Sequence, residues 1–140
     1  MIMAKILLVD DDALLLRMYQ TKFENDGYEV MTVDDGDMVP AKIRKNKPDL
    51  ILLDIMMPKV NGLEVLQRLK KSQETKKIPV VLLTNLGGSE ADVEKGFSLG
   101  AVAYLVKADY TPKEIVQKVK ELLAGYVHEI PKVKTVIKES

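Results

Sequence analysis

Leu50-Ile51-Leu52-Leu53 is a run of four apolar residues that stops on a carboxylate, Asp54, and passes at once into Ile55-Met56-Met57-Pro58-Lys59-Val60-Asn61-Gly62. A short run without polar alternation reads as a strand buried on both faces, the pattern of a central parallel strand. The Pro/Asn/Gly loop behind it marks an abrupt end. A carboxylate at the tip of a buried strand is paired, metal-bound or reactive, because a lone buried charge is costly. The rest of the chain must therefore place suitable neighbours around Asp54.

Four further runs have strand character: Lys5 to Val9, Tyr28 to Val33, Pro79 to Thr84 and Val102 to Val106. Helical patterns lie between them. The first, from about Ala13 to Asp26, carries Leu14, Leu15, Met18 and Phe23 as a partial apolar stripe, with Asp12 placed to cap it and Gly27 to end it. A weaker helix runs from Asp35-Gly36-Asp37 to about Asn46, where Pro40 is tolerable only in the first turn. Leu63, Val65, Leu66 and Leu69 suit a third, ending among Lys70 and Lys71. After the Leu86-Gly87-Gly88 break, Ser89 and Asp92 approximate a capping box for a fourth, which Gly100 stops after Leu99. Thr111-Pro112-Lys113-Glu114 is a complete helix start, and that helix runs to about Ala124.

Five alternations of strand and helix predict an α/β fold: a doubly wound, five-stranded parallel sheet of order 2-1-3-4-5 in a flavodoxin-like three-layer sandwich. Residues 1–125 form the expected domain, and 126–140 a C-terminal tail or linker remnant. There Lys132-Val133-Lys134-Thr135-Val136 alternates like an edge strand, and His128, the only histidine, is expected on the surface. No second domain is expected to follow.

Composition narrows the function. With 21 basic and 21 acidic residues among 140 there is no global electrostatic footprint for nucleic acid or anionic membrane, although local patches can hide in a neutral total. Zero cysteines exclude disulfides, thiolate metal sites and cysteine nucleophiles. The longest apolar runs are too short to span a bilayer, and Ile6 to Val9 runs straight into three aspartates, unlike a signal peptide. The expected location is the cytoplasm, with no membrane insertion and no direct nucleic-acid partner.

Ligands of open parallel sheets bind beyond the carboxyl ends of the strands. The first strand ends in Asp10-Asp11, the third in Asp54, the fourth in Thr84 and the fifth in Lys107, while Asp34 ends an edge strand. Carboxylates at adjacent tips repel one another, and a hard divalent cation such as Mg²⁺, which takes oxygen ligands, offsets that repulsion. Carboxylate, Mg²⁺, lysine and threonine hydroxyl are sufficient parts for phosphoryl transfer onto an aspartate. Singly, Asp12 reads as a cap, Thr84 as a β-former, Lys107 as a solvated end and Tyr104 as a core aromatic. Their gathering at one end of separate strands exceeds those readings.

In its motifs the chain resembles the receiver domain of two-component response regulators, from residue 5 to about 125. The resemblance rests on Ile6-Leu7-Leu8-Val9-Asp10-Asp11-Asp12, on Pro48 to Pro58 with Gly62, on Leu83-Thr84 and on Ala103-Tyr104-Leu105-Val106-Lys107. It implies a stand-alone, chemotaxis-regulator-like switch in which Asp54 accepts a phosphoryl group from a histidine kinase or phosphotransfer protein. It implies Mg²⁺ held by Asp11, Asp54 and the Met56 backbone carbonyl, with Asp10 assisting through water. Lys107 would bind the phosphoryl group and the Asp54 carboxylate, Thr84 would hydrogen-bond the new phosphate, and Tyr104 would swing inward. The face of the fourth helix, fifth strand and fifth helix would then meet an unidentified downstream protein, or a second copy in a homodimer. Such a protein catalyses only its own phosphorylation and dephosphorylation.

Two positions depart from the family pattern. Ala108 stands where proline is usual, so a trans bond and a rearranged loop before Thr111 are expected. Asn85 stands where a small residue is usual, which should alter water access to the phosphate. Two other readings compete: a Mg²⁺-dependent aspartyl-phosphate phosphatase, for which Asp54-Ile55-Met56-Met57-Pro58 lacks a second aspartate, and a contact scaffold without phosphorylation. A flavodoxin-type FMN carrier conflicts with Asp10-Asp11-Asp12, which would repel its phosphate.

Overall fold

The computed structural model describes residues 4–85 and 90–125. The element order is β1 (Lys5–Val9), α1 (Ala13–Asn25), β2 (Glu29–Val33), a 3-10 turn (Gly36–Met38), α2 (Val39–Lys45), β3 (Leu50–Asp54), α3 (Gly62–Lys71), β4 (Val80–Thr84), α4 (Glu90–Ser98), β5 (Ala103–Val106), a second 3-10 turn (Lys107–Asp109) and α5 (Pro112–Leu123). The strands pair in parallel in the order β2-β1-β3-β4-β5, as the alternation predicts. Every residue of β3 and β4 is buried, whereas four of the five in β2 are only half-buried. Continuous apolar runs thus mark the strands covered on both faces.

The sheet divides two cores. Leu7, Val9, Ile51, Leu53, Val80 and Leu82 pack with α2, α3 and α4 through Ile43, Leu66 and Phe97. Ile6, Leu8, Leu50, Leu52, Val81 and Leu83 pack on the opposite face with α1 and α5 through Phe23 and Ile115. Each strand therefore sends alternate residues to each layer.

Capping follows the sequence closely. Asp12 Oδ1 accepts from the N–H groups of Leu14 (3.0 Å) and Leu15 (3.2 Å). Thr111 and Glu114 form the reciprocal box at α5, at 3.1 and 2.9 Å. Pro40 lies in the first turn of α2. Asn61, read from the sequence only as a loop former, caps α3 by accepting from Leu63 N–H at 2.7 Å.

The α1 stripe differs from expectation. Its buried residues are Leu16, Tyr19 and Phe23, whereas Leu14 is 76% exposed and Met18 37%. Positions i, i+3 and i+7 share the core face, and Leu14 and Met18 form a separate outward row. Strand boundaries also tighten by one residue. Tyr28 lies before β2, donating its N–H to Phe23 and setting its ring edge-on to that phenyl at 5.6 Å. Pro79 precedes β4, where it lacks an N–H but still accepts from Ile51. The loop before Thr111 takes the form of a 3-10 turn over Lys107–Asp109, and every described peptide bond is trans. The Leu86-Gly87-Gly88 break, the Ser89 cap and the readings of 126–140, including His128 and Lys132–Val136, lie outside the described residues. Among those described, no helix is long and apolar enough to cross a membrane.

Candidate functional site

Because all five strands run the same way, their carboxyl ends form one rim. Asp10 follows β1 and donates its N–H to Val33 at 3.1 Å. Asp54 closes β3 opposite Leu83, and Thr84 closes β4 opposite Val106, which immediately precedes Lys107. Asp10, Asp54, Thr84 and Lys107 are the polar residues buried at this rim, while Asp11 is exposed. The structure thus brings together all five of these strand-end residues.

Lys107 reaches Asp54, as expected, but its closer partner is Asp10. Its Nζ donates to Asp10 Oδ2 in a very short contact, and Asp54 Oδ1 lies 3.9 Å away. Asp10 Oδ1 accepts the Asp12 N–H at 2.9 Å, which fixes the carboxylate and leaves Oδ2 for the lysine. Asp54 Oδ1 has a longer contact from Met56 N–H at 3.4 Å. Asp54 is thus the less satisfied carboxylate of the two.

Its proton affinity reflects this. Burial pushes the Asp54 pKa from 3.8 up to about 6, against the opposing pull of Lys107; Asp10 raises it further, Met56 N–H lowers it and Asp11 raises it slightly. A metal-free sample should therefore show one aspartate titrating near pH 6 in carboxyl-detected NMR, and that resonance should vanish in Asp54→Asn; titration of Asp54 near 4 would contradict the burial effect. The Tyr19 phenol in the α1 core rises to about 12, by burial and then by the Asp10 charge.

Asp10, Asp11 and Asp54 each offer a carboxylate oxygen, all within 4.8 Å of one another. Two oxygens placed across a Mg²⁺ at roughly 2.1 Å each would stand about 4.2 Å apart, so this hard-oxygen donor set fits such an ion with little adjustment. Met56 sits on the same loop, and its backbone reaches the site through its N–H.

Tyr104 is 1% exposed, with its ring in the core shared by Val93 and Phe97 of α4, so it already occupies the inward position. Asn85 and Ala108, the two departures, are both exposed at the rim.

Gly62 belongs to the β3 motif, but the sequence alone supplies no reason for it. Its N–H donates to Ile55 at 2.9 Å, and a Cβ there would lie 2.1 Å from the Asp54 carbonyl oxygen. The first turn of α3 therefore presses directly on the backbone that carries Asp54, and only glycine permits that approach. The signal available in the sequence was a glycine at a helix start, where a β-carbon is ordinarily harmless.

The response regulator receiver domain model matches residues 6–120. A probable transcriptional regulator of Cyanophora paradoxa, ycf27, is 40% identical over 119 residues, which cover 85% of this chain and 48% of that protein. The alkaline phosphatase synthesis transcriptional regulatory protein PhoP of Bacillus subtilis is 39% identical over the same length, with 85% and 48% covered. The chain thus spans about half the length of the curated relatives it matches. Among solved structures, the Vibrio cholerae chemotaxis protein CheY4 superposes with a TM-score of 0.79 at 31% identity, covering 85% of this chain and 98% of that one.

Proposed function

The chain belongs to the response regulator receiver domain family, and we propose that Asp54 is its phosphoacceptor in a Mg²⁺-assisted signalling switch. One observation carries this reading: a buried, incompletely satisfied carboxylate at the tip of β3, flanked by two further carboxylates and one ammonium.

An Asp54 oxygen would attack the phosphorus of a phosphohistidine on a histidine kinase or phosphotransfer protein. The new O–P bond forms as the P–N bond breaks, its electron pair returning to the imidazole, which takes up a proton. Asp11 and Asp54, with the Met56 carbonyl and with Asp10 assisting through water, would hold Mg²⁺, which when bound supplies charge neutralisation for the phosphoryl oxygens. Lys107, anchored on Asp10, is within a short swing of the same oxygens. Buried beside Asp54's neighbour on β4, Thr84 would donate its hydroxyl to the phosphate. Tyr104 then holds the α4 side of the sheet, so a phosphate-driven shift of Thr84 reaches the α4–β5–α5 face used for the downstream protein or for homodimerisation.

Residues 1–125 form the proposed receiver unit, acting in the cytoplasm. The expectation of no nucleic-acid partner is confined to this unit, because relatives twice its length are named as transcriptional regulators. The proposed chemistry is limited to the protein's own phosphorylation and dephosphorylation.

Incubation with acetyl phosphate and Mg²⁺ should add one phosphate to the intact mass of wild type and none to Asp54→Asn. Absence of an adduct, with no beryllofluoride complex either, would favour the contact scaffold. Steady turnover of a small phosphomonoester would favour the phosphatase.

A further inference from the structure

β2 is an edge strand, paired only with β1 among the described residues. Glu29 donates its N–H to Ala4 and Val33 accepts from Asp10, so Glu29, Met31 and Val33 turn their backbone groups toward β1. By the alternation of a parallel ladder, Val30 and Thr32 turn theirs outward. A groove of about 410 Å³ lies on this edge, lined by Leu16 of α1, by Thr32 and Val33, and by Ala41, Lys42 and Lys45 of α2. Because α1 and α2 cover opposite faces of the sheet, a groove touching both crosses its open edge.

Its charge is local and mainly basic. Val39 to Lys47 contain Lys42, Arg44, Lys45 and Lys47 and no acid, within a chain of zero net charge. Among the described residues, neither Lys42 nor Lys45 forms an ion pair. Asp34 is the one acidic residue of the lining, at the upper end of the strand.

We propose that this edge receives an extended acidic segment of a partner protein as a sixth strand. The outward N–H and C=O groups of Val30 and Thr32 match a polypeptide backbone, and strand alternation would turn one set of side chains to Lys42 and Lys45 and the other to Leu16. A second copy fits poorly, because two-fold pairing of β2 with itself would bring the two sets of α2 lysines together. A nucleic acid fits less well than a peptide, since it would leave the outward backbone groups of the strand edge unpaired. The groove lining shares no residue with the aspartate cleft.

The test uses the full chain and a fluorescent, acetylated peptide of alternating glutamate and valine, read by anisotropy and by amide exchange at Thr32. Saturable binding with slowed Thr32 exchange is expected, weakened about tenfold or more in K42E/K45E. Methylating alternate backbone nitrogens of the peptide should abolish binding to the unaltered protein. Absence of saturable binding, equal binding of the methylated peptide, or tighter binding of a single-stranded oligonucleotide of equal charge would overturn the proposal.

Discussion

Asp54→Asn should melt above wild type at pH 7, by roughly 5–10 °C in metal-free buffer. Asp54 is 3% exposed, and its pKa stands at about 6 instead of 3.8. That difference corresponds to about 3 kcal/mol between the ionised and neutral forms in the fold. The folded state binds this proton more tightly than the unfolded chain, so the neutral form supports the fold below pH 4. That support is lost as pH rises through 6. The amide keeps the shape, removes the charge and can donate to a neighbouring carboxylate. Lys107 is not orphaned by the change, because its close partner is Asp10. Thermal unfolding of both proteins from pH 4 to 7.5 checks this: the gap should be near zero at the acid end and complete above pH 6. Mg²⁺ should narrow it by stabilising wild type. Equal melting temperatures at neutral pH would mean that Asp54 is hydrated despite its position. The same carboxylate that we propose as the phosphoacceptor is thus expected to weaken the fold.

Such a carboxylate was visible in the sequence because the residues before it leave no ambiguity. Leu50 to Leu53 are apolar at every position, so the strand is buried on both faces and Asp54 must mark its end. Asp12, Thr111 and Glu114 were legible for a similar reason, since capping depends on contacts a few residues apart. α1 was harder. Leu14, Leu15, Leu16 and Met18 surround much of the helix, and choosing the Leu16–Tyr19–Phe23 face needs the phase that packing on the sheet imposes. The closer pairing of Lys107 with Asp10 was illegible because β3 and β4 separate β1 from β5, and the preference for Asp10 over Asp54 turns on side-chain reach. The β2 edge groove depends on two helices meeting around one strand, which no local pattern records.

Gly62→Ala should cause the largest loss from a single methyl group. The added Cβ would stand 2.1 Å from the Asp54 carbonyl oxygen, 2.8 Å from Ile55 Cα and 2.9 Å from the Asp54 carbonyl carbon. All three are backbone atoms, so no side chain can rotate away, and either α3 or the Asp54–Met56 backbone must move by about an ångström. Overpacking of this kind costs about 3 kcal/mol or more. The displacement also falls on the proposed nucleophile, where a 1 Å error lowers a positioned reaction about a hundredfold. Gly100→Ala supplies the comparison. Gly100 has φ +109°, so alanine there is strained by about 1–2 kcal/mol, but its nearest contacts are the flexible methylenes of Lys70. Urea unfolding should show both variants destabilised, Gly62→Ala more. Acetyl phosphate labelling, measured where both are fully folded, should be slowed only in Gly62→Ala. Equal labelling rates in the two would show that the β3–α3 loop absorbs the methyl without moving Asp54. The helix start that presses on β3 would then be a packing contact alone, with no part in aiming the carboxylate.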